Sequence, residues 1–331
     1  MFEKMKYFEK KRDDLRRLLL NEPRGRSAMC HNIVLPPCNP KADAGFLVME
    51  HEEYPAMSGP NTIATTTILL ETGMVPMQEL LSELALDTPV GFVTVYAECE
   101  KGKCQHVEFH NVPAFVYVLD KEIEVPGLGT TKVYIAWGGM FYCLVDAGSV
   151  GLIIRPEAGA EIVRIGERIK RAVQEQTNPV QAENPEIRGV TILEFTTPLE
   201  VKDVKKTQNA VIVYPGRIDR SPCGTGAYAR LAVSHARGEL KEGELLYYRS
   251  IINTEFIDRG TGMTKWESTT LFVLLLRAVH VLRAAILPFC TQLTRFQKAS
   301  VREIAGSWTS RMHHVQIMNI HLLLISTLPL M

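Results

Sequence analysis

A cysteine set among glycines at the head of a helical pattern is the residue of this 331-residue sequence best placed to do chemistry. Asp219-Arg220-Ser221-Pro222-Cys223-Gly224-Thr225-Gly226 runs directly into AYARLAVSHARG, a small-residue turn followed by helix formers. A thiol at a helix N-terminus meets the positive end of the macrodipole and amides with no intrahelical partner, and both favour the thiolate. Such a thiolate can take a proton from carbon. The same amides, made accessible by Gly224 and Gly226, form a seat for a carboxylate. One helix end can therefore hold an amino acid and deprotonate its α-carbon. Two other readings compete. Cys223 can be a small buried cap, as free cysteines often are. Gly224, Gly226 and Ala229 also match a G-x-G-x-x-A nucleotide loop, but RIDRSPC intervenes between the strand-like VIVY and the glycines.

A second helix head stands in the other half of the chain, at Met57-Ser58-Gly59-Pro60-Asn61-Thr62. Alone, Ser58 reads as an ordinary N-cap. Two helix N-termini facing each other across a cleft would grip one carboxylate with two sets of amides and offer a side chain to each face of the α-carbon. Stereoinversion needs that geometry.

These heads require elements to carry them. An amphipathic opening helix is expected from Tyr7 to Leu20, stopped by NEPRG, followed by neighbouring strands in HNIVLPP and AGFLVMEHEEY. The segment after Ser58 is largely uncharged over about four turns, the mark of a helix buried on every side. GFVTVYAEC, HVEFHNV, AFVYVLD, EIEVPGLGTTKVYIAW and FYCLVDA alternate as short strands, with PGLG as a hairpin turn. Between Glu157 and Gln176, Ile162, Ile165, Ile169 and Val173 mark one face of a helix that covers a sheet. VTILEFTTP and NAVIVYPG then lead to the Cys223 turn, so the second half repeats the plan of the first.

With 37 basic and 37 acidic residues the chain has no net charge, which argues for a small-molecule substrate over nucleic acid or an anionic membrane. Seven scattered cysteines without CxxC or zinc-type spacing give neither a disulfide framework nor a metal site, and the charged N-terminus is no signal peptide, so a cytoplasmic location is expected. His31, His51 and His110 are isolated and read as satisfied or solvated; Cys30, Cys38, Cys99 and Cys104 read as thiols without function. From Met263 onward glycine and acidic residues become scarce. LFVLLLRAVHVLRAAILPF approaches membrane-span length, but Arg277, His280 and Arg283 make insertion costly, at roughly 2.5–3.5 kcal/mol for each Arg.

MSGPNTI, EVPGLGT, GGMFYCLVDA, ENPEIRG and DRSPCGTGAYARLA together resemble the proline racemase family, which includes hydroxyproline epimerases and trans-3-hydroxyproline dehydratases. The resemblance spans roughly Arg12 to Ile257. It implies an α/β (α+β) fold of two diaminopimelate-epimerase-like domains, each a curved, mostly antiparallel sheet around a central helix, with no cofactor. It further implies Cys223 as one acid/base, with Ser58 opposite, and Asp219 at the substrate ammonium. The amides of Gly59, Asn61, Gly224 and Thr225 surround the carboxylate, with Pro60 and Gly226 in the same two loops. Oligomeric state is left open, a homodimer being compatible with the resemblance.

Three departures accompany it. Ser58 stands where the family usually has its first cysteine, and Pro60 where a histidine is common; a hydroxyl is a far poorer carbon base than a thiol. The family's opening strand, with its Asp-Ser-His-Thr-like segment, has no counterpart. After about Arg259 the family's glycine-rich return to the first domain is replaced. The expected organisation is an N-terminal epimerase-like domain at 1–117, a second at 118–262 and a divergent tail at 263–331. The expected activity is racemisation or 2-epimerisation of proline or hydroxyproline. A trans-3-hydroxy-L-proline dehydratase and an inactive truncated homologue are the alternatives.

Overall fold

The computed structural model describes residues 1–202, 204–266, 269–278 and 323–327. Helices α1 (Phe2–Lys11) and α2 (Asp13–Leu20) precede strands β1 (Cys30–Leu35) and β2 (Ala44–Met49), and helix α3 (Gly59–Glu71) leads to β3 (Leu80–Thr88), β4 (Gly91–Glu100) and β5 (Lys103–His110). The second half opens with β6 (Phe115–Val125), β7 (Gly129–Trp137) and β8 (Phe141–Asp146), followed by α4 (Gly159–Gln176), β9 (Ile192–Thr196), β10 (Glu200–Val201), β11 (Lys205–Val213) and β12 (Arg217–Ile218). Helix α5 (Gly224–Ala236) and β13 (Leu245–Arg249) complete that half, and β14 (Glu255–Trp266), β15 (Thr269–Ala278) and β16 (Leu323–Thr327) follow.

The strands form one continuous, mostly antiparallel path, β16-β1-β2-β3-β4-β5-β15-β14-β13-β11-β9-β8-β7-β6, which curls around α3 in one half and α5 in the other. Period-2 alternation decides which side chains meet these helices. Along β1 and β2, Val34, Phe46 and Val48 face α3, while Ile33, Leu35, Leu47 and Met49 pack under α1 and α2. Across β8, β9 and β11, Phe141, Cys143, Leu193, Phe195, Ala210 and Ile212 join the cluster beneath α4. The intervening Tyr142, Leu144, Ile192 and Val211 face α5. Asn209 and Glu194, on the same parity, are therefore brought beneath α5 as buried polar groups.

Both central helices are buried, Asn61 through Leu70 in α3, whose sequence there is uncharged, and Gly224 through Ser234 in α5, which carries the single charge of Arg230. The face Ile162, Ile165, Ile169 and Val173 of α4 is buried as its spacing predicts.

Three expectations change. The opening helix is two helices, broken at Arg12 (φ −136°, ψ 29°), and it begins at Phe2. The 117/118 division falls inside β6. The organisation also does not end at 262: β14 runs across Gly262 and Met263, and β15 pairs with β5, placing Leu275 opposite His110. Residues up to 278 thus return to the first half, the connection that sequence composition had hidden. Of the apolar run LFVLLLRAVHVLRAAILPF, 271–278 is strand and the remainder lies outside the described residues. Among the described residues, no helix is long and apolar enough to cross a membrane.

Candidate active site

The N-termini of α3 and α5 abut. A Cβ placed on Gly59 would stand 3.0 Å from the Cα of Gly224, so a side chain at Gly59 would crowd the approach of the two helix heads. A glycine pair between β7 and β8 wedges the junction together. A Cβ on Gly138 would lie 2.1 Å from the Thr225 carbonyl oxygen, and one on Gly139, itself at φ +105°, would lie 3.1 Å from Met57 and 3.2 Å from Thr225. The sequence places Ser58, Gly59, Pro60, Asn61, Gly224, Thr225 and Gly226 at two helix heads, and the structure brings those heads to one place. In both first turns the amides have no intrahelical acceptor, Pro60 having none to offer.

Cys223 is the N-cap of α5, buried, with φ +62° and ψ 96°. A non-glycine residue there carries of order 1–3 kcal/mol of strain, which the surroundings must over-determine. They do so with a short ladder. Ser221 Oγ accepts from the Cys223 amide at 3.1 Å and donates to Asp219 Oδ2 at 2.9 Å, the Ser221 amide donates to Asp219 Oδ1 at 2.9 Å, and Asn209 Nδ2 donates to the Pro222 carbonyl at 2.7 Å. The Cys223 Sγ lies 3.1 Å from the hydroxyl of Tyr142, which is in turn 2.6 Å from Thr225 Oγ1.

The helix head alone predicts an acidified thiol. Instead, burial pushes the Cys223 thiol up, reinforced by the negative charges of Asp219 and Glu194, against the hydrogen bonds from Tyr142 and the Gly226 amide. Local dipole and desolvation have opposite signs, and desolvation is the larger effect at Cys223. Asp219, half-buried, is raised by burial against the Ser221 amide and Arg217. Glu194 is raised to about 7 by burial, against hydrogen bonds from Tyr248 and Asn209.

Ser58 caps α3 at φ −155°, yet its side chain makes no capping bond to the helix. Its Oγ accepts from Asn61 Nδ2 at 2.8 Å, which leaves the hydroxyl hydrogen available for a further partner. The ordinary N-cap reading of Ser58 is thus replaced by a side-chain pair.

From Ser58 a polar chain runs round the junction to Cys223. Asn61 contacts Cys30, Cys30 Sγ lies 3.7 Å from Glu50 Oε1, and Glu50 forms a short ion pair with Arg217, which lies beside Asp219. Glu50 follows β2 and Arg217 opens β12, so this pair ties the two halves together. Cys30, read from sequence as a thiol without function, belongs to this ring, although burial pushes it up as well. Cys99 and Cys104 do face each other across β4 and β5, their sulfurs 3.9 Å apart, but outside the ring. His31 is buried and lowered to about 4 by desolvation, His51 Nδ1 lies 3.3 Å from the Leu20 carbonyl, and His110 packs on Tyr96.

Sequence reasoning missed Tyr142, Glu194, Asn209, Glu50 and Arg217. Alternation along FYCLVD and ILEFT was the available signal for the first two, since it puts Tyr142 and Glu194 opposite the faces that α4 covers. Among the described residues, no group of three or more His, Cys, Asp or Glu side chains is arranged to hold a metal ion.

The sequence profile of the proline racemase family matches residues 1–279. A hydroxyproline epimerase from Agrobacterium vitis, solved with bound trans-4-hydroxy-L-proline, superposes with a TM-score of 0.78 at 35% identity over 82% of this chain and 80% of that one. A probable proline racemase from Agrobacterium radiobacter, solved with bound carbonate, gives 0.78 at 34% identity over 87% and 86%. A phenazine biosynthesis protein of the PhzF family from Bacillus anthracis shares the fold at 0.50 and 11% identity, over 81% and 87%. The profile match extends past Ile257 through β15, in keeping with the return of that strand to the first half.

Proposed function

The chain belongs to the proline racemase family, and from that premise we propose that it abstracts the α-proton of proline or hydroxyproline without a cofactor, racemising or 2-epimerising the amino acid. The observation that carries this reading is the abutment of two helix N-termini at Gly59 and Gly224, capped by Ser58 and Cys223. The substrate carboxylate is held by the first-turn amides of Gly59 and Asn61 and of Gly224, Thr225 and Gly226, where developing negative charge meets oriented donors. Asp219 receives the ammonium. Once Asp219 is neutralised by that cation, one of the two charges that hold the thiol up is offset. The Cys223 thiolate then takes the α-proton on one face, and Ser58, through a water, serves the other. The ligand of the Agrobacterium vitis epimerase, trans-4-hydroxy-L-proline, is the natural first substrate to try.

A second reading, a trans-3-hydroxy-L-proline dehydratase, is favoured by one observation: the site opposes a thiol with a hydroxyl already engaged by Asn61. In that case one base suffices, because the carbanion formed by Cys223 expels the 3-hydroxyl, which leaves as water with the proton Cys223 had removed, and the enamine left behind tautomerises to the cyclic imine. Incubating the folded protein with the isomers of proline, 4-hydroxyproline and 3-hydroxyproline in deuterated water tests both. Deuterium at the α-carbon with inverted configuration supports the epimerase, and a cyclic imine product supports the dehydratase. Absence of both from every isomer identifies an inactive homologue.

A further inference from the structure

Behind the first turn of α5 lies a carboxyl that the reaction as drawn does not use. Glu194, on β9, is fully buried; its Oε1 accepts from the Tyr248 hydroxyl and from Asn209 Nδ2 at 3.4 Å, while its Oε2 has no hydrogen-bond partner among the described residues. Gly226 fixes where that oxygen is. A Cβ there would stand 2.2 Å from Glu194 Oε2 and 3.3 Å from Cys223 Sγ, so the two atoms are no further apart than those distances laid end to end. The Tyr142 ring, 3.1 Å from the same point, fills the space beside them.

We propose that Glu194 is the positioning residue that sets the charge state of Cys223, the two sharing a single negative charge so that a thiolate forms readily only while Glu194 holds a proton. Two buried anions this close repel, and each raises the other's cost of ionising. Little nearby relieves them. The groups facing Glu194 are Asn209 on β11, Tyr142 on β8, Tyr248 on β13, Asp258 on β14, Asp219 and Cys223 before α5, and Arg230 within it. Arg230 is the cation of that set, and it lies 3.5 Å from Glu239. Asp258 adds two more carboxylate oxygens without hydrogen-bond partners among the described residues. Asn209 couples the acid to the thiol mechanically as well, since its Nδ2 bridges Glu194 and the Pro222 carbonyl just before Cys223.

The proposal rests on Cys223 being the carbon base, so its test reads the thiol itself as well as the reaction. Alkylation of the Cys223 peptide by iodoacetamide, followed by mass spectrometry across pH, gives the half-point of thiolate formation, with Cys223→Ser as the blank. A charge about 5 Å away at an effective dielectric near 20 moves that half-point by about two pH units. Glu194→Gln, neutral and isosteric, should lower it by at least about one unit, a tenfold rise in thiolate fraction below the half-point. Glu194→Asp, which keeps the charge, should leave it near the wild-type value. Glu194→Met is the second neutral variant should the Gln variant not fold. The acidic limb of α-deuterium exchange should move with the thiol in each case. A half-point unchanged in the neutral variants overturns the proposal, whatever happens to the rate. If the wild-type protein exchanges nothing, the functional reading fails and the alkylation profile still decides the role of Glu194.

Discussion

Replacing Tyr142 with Phe removes one oxygen from a buried position and leaves the ring in place. That oxygen lies 3.1 Å from Cys223 Sγ and 2.6 Å from Thr225 Oγ1. Its bond to a thiolate is charge-assisted and worth about 1.5–3 kcal/mol, whereas its bond to the neutral thiol is worth about 1 kcal/mol. The difference falls on the ionised form. A donor to the charged state lowers a thiol's pKa, so its loss should raise the Cys223 half-point by about one pH unit, at 1.36 kcal/mol per unit. At a pH below the half-point, α-deuterium exchange should then slow about tenfold or more, recovering as pH rises. Stability should fall by about 1–2 kcal/mol, because Thr225 loses its closest side-chain partner. The assay is exchange rate against pH, measured beside the alkylation profile of Cys223 and thermal melting. A variant that slows exchange equally at every pH, with an unmoved half-point, would falsify the claim that Tyr142 acts on the thiolate.

Other changes test the junction and its charges. Ser58→Cys supplies the second thiol and should raise net inversion at least about tenfold over wild type, while Ser58→Ala should retain exchange from the Cys223 face and lose inversion; chiral chromatography reads both. Gly138→Ala puts a Cβ 2.1 Å from the Thr225 carbonyl and should cost about 3 kcal/mol or prevent folding, whereas Gly59→Ala, at 3.0 Å from Gly224, should fold and lose activity as the helix ends part. Urea midpoints would separate the two. Glu194 is raised to about 7, and Glu53 likewise by burial, so for each the folded state binds a proton the unfolded chain has already lost. That contribution is fully present below about pH 4.5 and is lost as pH rises to about 7, by about 3 kcal/mol for each group. Urea titrations of wild type minus Glu194→Gln should therefore show a difference that turns against wild type over this range, and a flat difference would remove Glu194 from the account.

Features encoded by neighbours along the chain were legible in the sequence. Both helix heads follow from small residues, glycine and proline beside runs of helix formers, and the face of α4 follows from four apolar positions at helical spacing. What depends on residues far apart was not. The ion pair of Glu50 and Arg217 spans 167 positions, and nothing local to either announces the other. Tyr142 and Glu194 are marked only by strand parity, which says which face they take and not what lies there. The break at Arg12 has neither proline nor glycine to signal it. β15 was hidden because its apolar residues belong to a longer hydrophobic run, and only its register with β5, Leu275 to Ala278 against His110 to Val107, reveals the strand.

The state of Cys223 illustrates the same division. A helix head is local and acidifies a thiol; burial is tertiary and does the reverse, and here it prevails. Burial and the charges of Asp219 and Glu194 hold the thiol up, so ionising it needs an offset to one of those charges. In the proposed reaction the substrate's zwitterion would supply that offset, its carboxylate at the helix amides and its ammonium at Asp219 beside the thiol. Once formed, a thiolate of raised pKa is a stronger base toward carbon than an acidified one. Ser58 gains nothing comparable, since its Oγ already accepts from Asn61 and its own ionisation is out of reach near neutral pH. The two faces of the α-carbon are therefore unequal by design of the residues present. Proton removal at the Cys223 face should outpace return at the Ser58 face, and the fate of the carbanion then turns on whether the ring carries a leaving group at the 3-position. A direct comparison of α-deuterium exchange with net inversion, on the same proline isomer, measures that inequality. Equal rates would show that Ser58 relays protons as well as a thiol and would remove the asymmetry argued from its bond to Asn61.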